Sequence, residues 1–293
     1  MNYSRIYDTH THSIHSFDGN NSVDEMVNSA FELGCKGIAL TDHCDIDGMV
    51  DTCFDFQDKQ FLDVERARIK YDGKIKVYHG VELGQGIFEK ELCQRFIDSY
   101  DFDFVLGSVH NLKNMEDFCF LDYSTCDVDK LLNDYFNAVL ETAVWNYTDS
   151  VAHLTYPFRY LIDRGFMPEN IEKYDDVIKQ IFSAVIENNK AVELNVSGLN
   201  MFMHDTLPSK KYIKMYHDMG GKYVTVGSDS HYTDKIALNI DKGYDILKEC
   251  GFDCFTVFEQ RKPKLIEIIW GVLWINYYIY LKRILVLPMQ NLQ

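Results

Sequence analysis

Seven short apolar, β-branched runs recur along the chain, and a polar stretch with helical periodicity follows them. The runs are Arg5–Thr9, Gly37–Thr41, Ile75–Val81, Phe102–Gly107, Ser150–Ala152, Ala191–Leu194 and Tyr223–Val226. Continuous apolar runs of this length suit parallel strands buried on both faces. Between them the spacing predicts helices over Gln57–Tyr71, Asp127–Asn146, Tyr174–Asn189, Ser209–Met219 and Asp234–Cys250. A further helix begins at Ser22-Val23-Asp24-Glu25, a capping box with Ser22 at the N-cap and Glu25 three residues on. Val23, Met26, Val27, Ala30 and Phe31 give it an apolar stripe, and Gly34 stops it. About seven βα units without a Pro/Gly/Ser-rich linker favour one α/β domain, a closed (β/α)7 barrel of TIM-like form. The runner-up is an open doubly wound sheet, but no glycine-rich phosphate loop follows the first strand.

Composition removes several alternatives. A hydrophobic fraction of 46% and a charged fraction of 25% over 293 residues exclude disorder as the main state. The 29 Lys and Arg against 45 Asp and Glu leave a net charge of −16, which disfavours a nucleic-acid partner. Cys35, Cys44, Cys53, Cys93, Cys119, Cys126, Cys250 and Cys254 form no C-x-x-C pair and read as reduced thiols of a cytoplasmic protein. The opening MNYSRIYDTHTHS shows no basic and then apolar leader, so no secretory signal is expected. Ile268 to Leu281 carries no charge over fourteen residues, short of the roughly 20 a membrane span needs. Residues 268–293 are set apart as an apolar tail: an interface anchor, a buried element or an oligomer contact, with membrane spanning disfavoured.

Histidines and acids gather at the ends of the apolar runs. His10 and His12 sit in Asp8-Thr9-His10-Thr11-His12 after the first run, and His43 closes Thr41-Asp42-His43 after the second. Glu82 follows the third, His110 the fourth, His153 the fifth, and Asp229 with His231 the seventh. In a parallel barrel these ends open on one face, where active sites form. Side chains two apart on an extended strand point the same way, so His10 should converge with His12, and Asp229 with His231. Imidazole with carboxylate is a donor set for zinc, iron or manganese. Six histidines and two acids exceed the needs of one catalytic zinc and imply at least two ions, about 3.5–4 Å apart if they act as a pair. His15, His79, His204 and His217 read as surface or supporting residues.

The ordered set His10-Thr11-His12, His43, Glu82, His110, His153 and Asp229-Ser230-His231 resembles the PHP superfamily (polymerase and histidinol phosphatase). The resemblance runs from about residue 5 to 267, and 1–267 is taken as the barrel domain. Within the superfamily the chain is most similar to the monofunctional histidinol-phosphate phosphatases. Thr41-Asp42-His43, His79-Gly80-Val81-Glu82-Leu83-Gly84, Gly107-Ser108-Val109-His110, Glu193–Leu199 and Gly227–His231 carry that likeness. It implies a distorted seven-stranded barrel, two or three divalent metal ions (Zn, Mn or Fe), and hydrolysis of L-histidinol phosphate to L-histidinol and phosphate in histidine biosynthesis. Many members carry a histidine six residues after the H-x-H; here Asp18 stands there and is carried as a ligand, with His15 as the local competitor. Asn200 stands where relatives often have a basic residue.

The expected metal ligands are therefore His10, His12, Asp18, His43, Glu82, His110, His153, Asp229 and His231. Glu82 is expected to bridge two ions, and Asp229 to orient the nucleophile or move its proton; Glu82, Asp229 and His231 form the catalytic group. The nucleophile is a metal-activated hydroxide, because a divalent ion lowers the pKa of water from 15.7 toward about 7. A phosphate monoester also needs a cationic clamp, and Arg159 in Tyr156-Pro157-Phe158-Arg159-Tyr160 suits that role. Lys210-Lys211 reads as a solvated face, and Phe17, Tyr156 and Tyr232 as packing beside the ligands. Competing readings are another small phosphate ester (sugar phosphate or nucleotide), a polymerase-associated module and a non-catalytic metal-binding module. Charge argues against the second of these, and the full ligand set against the last.

Overall fold

The expected runs become parallel strands of one barrel. The computed structural model describes residues 3–269, with backbone only at 47–51. The strands are β1 (Tyr7–Thr11), β2 (Gly37–Leu40), β3 (His43–Asp45), β4 (Lys76–Gly84), β5 (Phe104–Ser108), β6 (Ser150–Val151), β7 (Ala191–Asn195) and β8 (Val224–Gly227). They pair in the order β1-β2-β4-β5-β6-β7-β8, all parallel, with β3 joined to β4. A parallel bridge between Thr11 and Ser230 brings the two edges together, so the seven-stranded barrel is nearly closed and the open-sheet alternative falls. Its strands are buried along almost their whole length, as the uninterrupted apolar runs require.

Helices α1 (Val23–Glu32), α2 (Ile46–Lys70), α3 (Lys90–Asp98), α4 (Val128–Val144), α5 (Phe158–Asp163), α6 (Asp175–Glu187), α7 (Lys210–Asp218) and α8 (Ile240–Cys250) cover the outside. The capping box of α1 forms as expected: Glu25 N donates to Ser22 Oγ (3.3 Å) and Ser22 N to Glu25 Oε2 (2.8 Å). Such a cap contributes about 1 kcal/mol. Its Val23, Met26, Val27 and Ala30 are buried.

Four features differ from the sequence expectation. Helix α2 starts eleven residues earlier than Gln57, directly after β3. The expected helix over Asp234–Cys250 is split, because Asn239 takes a left-handed turn (φ 65°) before α8 begins. Strand β3 and helices α3 and α5 were not expected. Finally, β9 (Cys254–Glu259) and β10 (Lys262–Glu267) form an antiparallel hairpin at the N-terminal end of the barrel. Phe258 stacks on Phe104 (5.2 Å between ring centres) and Phe255 on Tyr244 (4.6 Å), which seals that end with aromatic carbon. The turn residues Gln260 and Arg261 both have positive φ, and Gln260 N donates to Asp103 Oδ1 (3.0 Å). The expected tail, residues 268–293, lies outside the described residues apart from Ile268 and Ile269; Ser4 N donates to Ile269 O (3.0 Å). Among the described residues no helix is long and apolar enough to cross a membrane.

One buried cation marks this lower half. Lys190, directly before β7, donates to Thr142 O (3.1 Å), Thr148 Oγ1 (3.1 Å) and Trp145 O. Burial lowers its pKa from 10.5 to about 7, against the pull of Asp149. Between those values the unfolded chain binds more protons than the folded one, so this group makes stability rise with pH across that window. We expect the urea midpoint to rise from pH 7 to pH 9, and the rise to flatten in Lys190→Met. An equal rise in the variant would assign the slope to other groups.

Candidate metal centre

The barrel aims six imidazoles and three carboxylates at one spot on its C-terminal rim. His10 lies within β1 and His12 one residue beyond it, and their rings sit 5.0 Å apart, as alternation on an extended strand requires. His43 arrives because the second strand is interrupted at Thr41-Asp42 and resumes as β3, where His43 pairs in register with Glu82 of β4. His110 follows β5 and His153 follows β6. Asp229 and His231 follow β8, but not on extended backbone as expected. Asp229 has φ 56°, a left-handed conformation that aspartate tolerates better than most residues, fixed by Asp229 N donating to His10 O (2.9 Å). Gly227 is required there: a Cβ would stand 2.3 Å from His10 Cβ and 2.5 Å from Glu193 Oε1.

Glu82 is fully buried at the centre, and its two oxygens divide the histidines. Oε1 lies 2.8 Å from His153 Nε2 and 3.0 Å from His110 Nε2. Oε2 lies 3.0 Å from His10 Nε2, 3.2 Å from His43 Nδ1 and 3.5 Å from His12 Nε2. Asp229 Oδ1 faces the second group, 3.4 Å from His12 Nε2 and 3.6 Å from His10 Nε2. Burial works to raise the Glu82 pKa, but His10, His110 and His43 outweigh it and hold the carboxyl well below its usual range. Asp229 is likewise held low against its burial, by His10, His12 and Arg159. Burial and the neighbouring imidazoles of His231 and His43 push the His12 pKa well down.

The outer ring nitrogens are held by acceptors. His10 Nδ1 meets Glu193 Oε1 at 2.6 Å, His110 Nδ1 meets Asp45 Oδ1 at 3.2 Å, and His231 Nδ1 meets Asp229 O at 3.0 Å. Each acceptor takes the Nδ1 proton and leaves the Nε2 lone pair facing inward, the arrangement that orients imidazoles on a metal. The inner atoms have no such satisfaction. His12 Nε2 and His43 Nδ1 are buried without a well-directed hydrogen bond, and His110 Nε2 and His153 Nε2 stand only 3.3 Å apart. Three overlapping groups have donor atoms within 4.8 Å of one another: His12, His43 and His231; His10, His12 and Glu82; His43, Glu82 and His110. Ring nitrogens that converge on one another and on a buried carboxylate, some without a directed hydrogen bond, fit divalent cations.

Asp18 stands at the edge, 42% exposed in its side chain, with Oδ2 3.0 Å from His231 Nε2 and Oδ1 3.8 Å from His43 Nε2. His15 turns away to Asp63 Oδ2 (3.0 Å), so of the two local candidates Asp18 is the one beside the cluster. His79 is buried on the outer side of β4, stacked on Phe102; His204 is exposed and His217 lies by Phe252. Phe17 stacks on His43 (5.0 Å), and Tyr156 lies against His153 (4.9 Å) and His110 (5.0 Å). Tyr232 remains half exposed. Lys210 and Lys211 pair with Glu249 and Asp175 on the surface, as expected of a solvated face.

Arg159 sits in α5 and reaches the rim. Its Nη2 donates to Ser197 Oγ (3.2 Å) and lies 3.5 Å from Asp229 Oδ2, while its Nε is buried with no partner. Asp229 Oδ2 also accepts from Asn195 Nδ2 (3.2 Å). A pocket of about 410 Å³ opens beside Asp229 and His231, walled in part by Ser197, Asn200, Tyr232 and Lys235. A larger cleft, about 740 Å³, lies at the opposite end among Lys36, Lys76 and Lys262 and touches none of these groups. Glu193, Asn195, Asp45 and Ser197 had no assigned role in the sequence. Glu193 and Asn195 carried a readable signal, polar residues two apart at the end of an apolar run, the same placement as Glu82.

Fold and centre together define a (β/α)7 barrel with a histidine- and carboxylate-rich site for divalent metal on its C-terminal rim. The PHP domain model matches residues 8–197, and the chain belongs to the PHP domain family. A protein of Clostridium acetobutylicum named "Probable histidinol-phosphatase" is 31% identical over 88% of this chain and 99% of its own length. The histidinol-phosphatase of Lactococcus lactis is 29% identical over 87% of this chain and 95% of its own. A solved structure of histidinol phosphate phosphatase from Lactococcus lactis, complexed with zinc, L-histidinol and phosphate, has the same fold: TM-score 0.73, 24% identity, covering 88% of this chain and 98% of that one.

An ion that binds only the folded state stabilises it. Adding a chelator is therefore expected to lower the thermal midpoint of the wild type, and the shift should largely vanish in Glu82→Gln. The same shift in the variant would place the ions elsewhere.

Proposed function

We propose that this chain is a metal-dependent phosphomonoesterase that hydrolyses L-histidinol phosphate to L-histidinol and phosphate, a step of histidine biosynthesis. The observation that carries the chemistry is the division of the Glu82 oxygens between two sets of imidazoles, an arrangement in which Glu82 would help hold more than one divalent ion. The likeness to the Clostridium and Lactococcus proteins over nearly their whole length supports the substrate. Two or three ions fit the nine-residue set, with zinc, manganese or iron as candidates. The chemistry is assigned to residues 1–267, and the eight free thiols support a reducing, cytoplasmic setting.

Divalent ions held here would supply Lewis acidity, lowering the pKa of water and offsetting negative charge on the phosphoryl oxygens. His10, His12, Asp18, His43, Glu82, His110, His153, Asp229 and His231 would hold them. Asp229 divides its work between two oxygens. Oδ1 faces the cluster, and Oδ2 is held by Asn195 and lies near Arg159, so the carboxylate is fixed where it can orient the attacking water and take its proton. His231 lies between Asp229 and Asp18 at the mouth of the pocket, where it would help hold an ion beside the bound ester. Arg159 stays charged against its burial because Asp229 sits beside it, and its Nη2, on Ser197 and near Asp229, puts that charge at the rim where a phosphate would be held.

The test is phosphate release by the metal-loaded protein on histidinol phosphate beside sugar phosphates and nucleotides. Strong preference for histidinol phosphate supports the reading. Activity confined to another ester would keep the metal chemistry and move the substrate, a course that the neutral Asn200 in the pocket wall makes worth the comparison. Arg159→Ala is expected to lower kcat/KM at least about tenfold with metal content unchanged, since a charged hydrogen bond to phosphate contributes roughly 1.5–3 kcal/mol. Wild-type kinetics in that variant would remove Arg159 from substrate binding.

A further inference from the structure

A second polar cluster lies behind the centre, and neither the fold nor the metal site accounts for it. Asp42, 3% exposed, occupies the break between β2 and β3. Its Oδ1 accepts from Ser13 N (2.5 Å) and Ser16 Oγ (2.8 Å), and its Oδ2 from Ser13 Oγ (2.8 Å) and Gln60 Nε2 (2.7 Å). Gln60, on α2, also donates to Leu40 O (3.2 Å) and Gly80 O (3.3 Å), one carbonyl from each of the two adjoining strands. Behind it Gln57 donates to Gln60 Oε1, and its nitrogen lies 2.7 Å from His79 Nε2. All of these side chains are buried.

The donor and acceptor inventory permits one arrangement of protons. A carboxylate has only acceptors, so the Ser16 hydroxyl proton points at Asp42. The Ser16 oxygen is then left to accept, and two groups face it: His43 N (3.0 Å) and His12 Nδ1 (3.1 Å). His12 must therefore carry its proton on Nδ1, leaving a lone pair on Nε2. That Nε2 is the atom that faces Glu82, Asp229 and the converging imidazoles. The same hydroxyl holds the backbone of His43. One serine thus sets the tautomer of one inner histidine and the placement of the next, and Asp42 sets the serine.

We infer that Asp42, acting through Ser16, is a positioning residue of the metal centre: it fixes His12 as the Nδ1-protonated tautomer and pins the strand break that delivers His43, with Gln60 tying both to α2. The inference rests on the reading of the rim as a metal centre and is independent of which phosphate ester is hydrolysed. Ser16 and Asp42 stand outside the nine-residue ligand set; their effect passes through His12 and His43.

The test uses the full chain and zinc as the probe. Zinc affinity is measured by competition with a chelating dye, and the His12 tautomer by long-range ¹H–¹⁵N correlation of the histidine rings in zinc-loaded protein. Ser16→Ala should lose roughly 10- to 100-fold in zinc affinity, the usual effect of removing a group that orients a metal ligand. Its thermal midpoint in chelator should fall only as far as a lost buried hydroxyl requires, so the stability change and the loss of zinc affinity are read separately. Ser16→Thr, which keeps the hydroxyl, should recover most of the affinity. Asp42→Asn replaces one acceptor oxygen with a donor facing Ser13 and Gln60 and should fall in the same range; if it fails to fold, the serine pair decides. Zinc affinity unchanged in Ser16→Ala, or a wild-type His12 protonated on Nε2, would overturn the inference while leaving the enzymatic reading intact. A wild type that binds no zinc would overturn both, whereas zinc binding without turnover of histidinol phosphate would overturn the substrate reading alone.

Discussion

Glu82 is a carboxylate taken wholly out of water, with five imidazole nitrogens within 3.5 Å of its two oxygens, and it is tolerable only with ring protons or divalent cations between them. An unpaired buried charge of this kind costs several kcal/mol. The rest of the rim follows from meeting that requirement. The six imidazoles come from five places along the chain, so the centre exists only if every strand ends at the right height. The closures at Thr11–Ser230 and at Asp229 N to His10 O set that height where the first strand meets the last. Asp8, buried and accepting from Ser228 N, Ser228 Oγ and Ala237 N, anchors the same junction from below.

Around the inner histidines lies a layer of acceptors: Glu193, Asp45, the Asp229 carbonyl and Ser16. Glu193 does double work, since its second oxygen accepts from His153 N (2.7 Å). This layer converts flexible imidazoles into directed lone pairs. It also explains why so acidic a chain can concentrate histidine here. The carboxylates at the rim are held low by imidazoles and Arg159, and converging cations would complete the balance.

Much of this was legible in the residues. Parallel strands buried on both faces leave uninterrupted apolar runs, and ligands at their ends stand out against them; all six rim histidines, Glu82 and Asp229 were found that way. What was missed shares a physical cause. Strand β3 is three residues long and polar, so no periodicity marks it, and its existence depends on Glu82 lying opposite. The hairpin β9–β10 follows a helix with no βα rhythm, and its turn uses Gln260 and Arg261 where glycine or asparagine would have announced it. Asp42 and Ser16 act on histidines through contacts made across the fold or around a loop, which spacing along a strand does not encode. The convergence of Asp229 and His231 was expected for the wrong reason, since a left-handed turn rather than strand alternation produces it.

The contact between His10 and Asp229 joins the first strand to the last, and this has a consequence for how the protein comes into being on the ribosome. With the first six strands emerged, most imidazoles are present, yet the cluster lacks its closing carboxylate and the left-handed turn that holds it. The sealing hairpin arrives later still. Nascent chains therefore expose unpaired strand edges at both ends of an open sheet until almost the whole barrel has been made, a state prone to wrong pairings. Cation capture in its final geometry is for the same reason a late event, one that reports closure of the barrel rather than guiding early collapse.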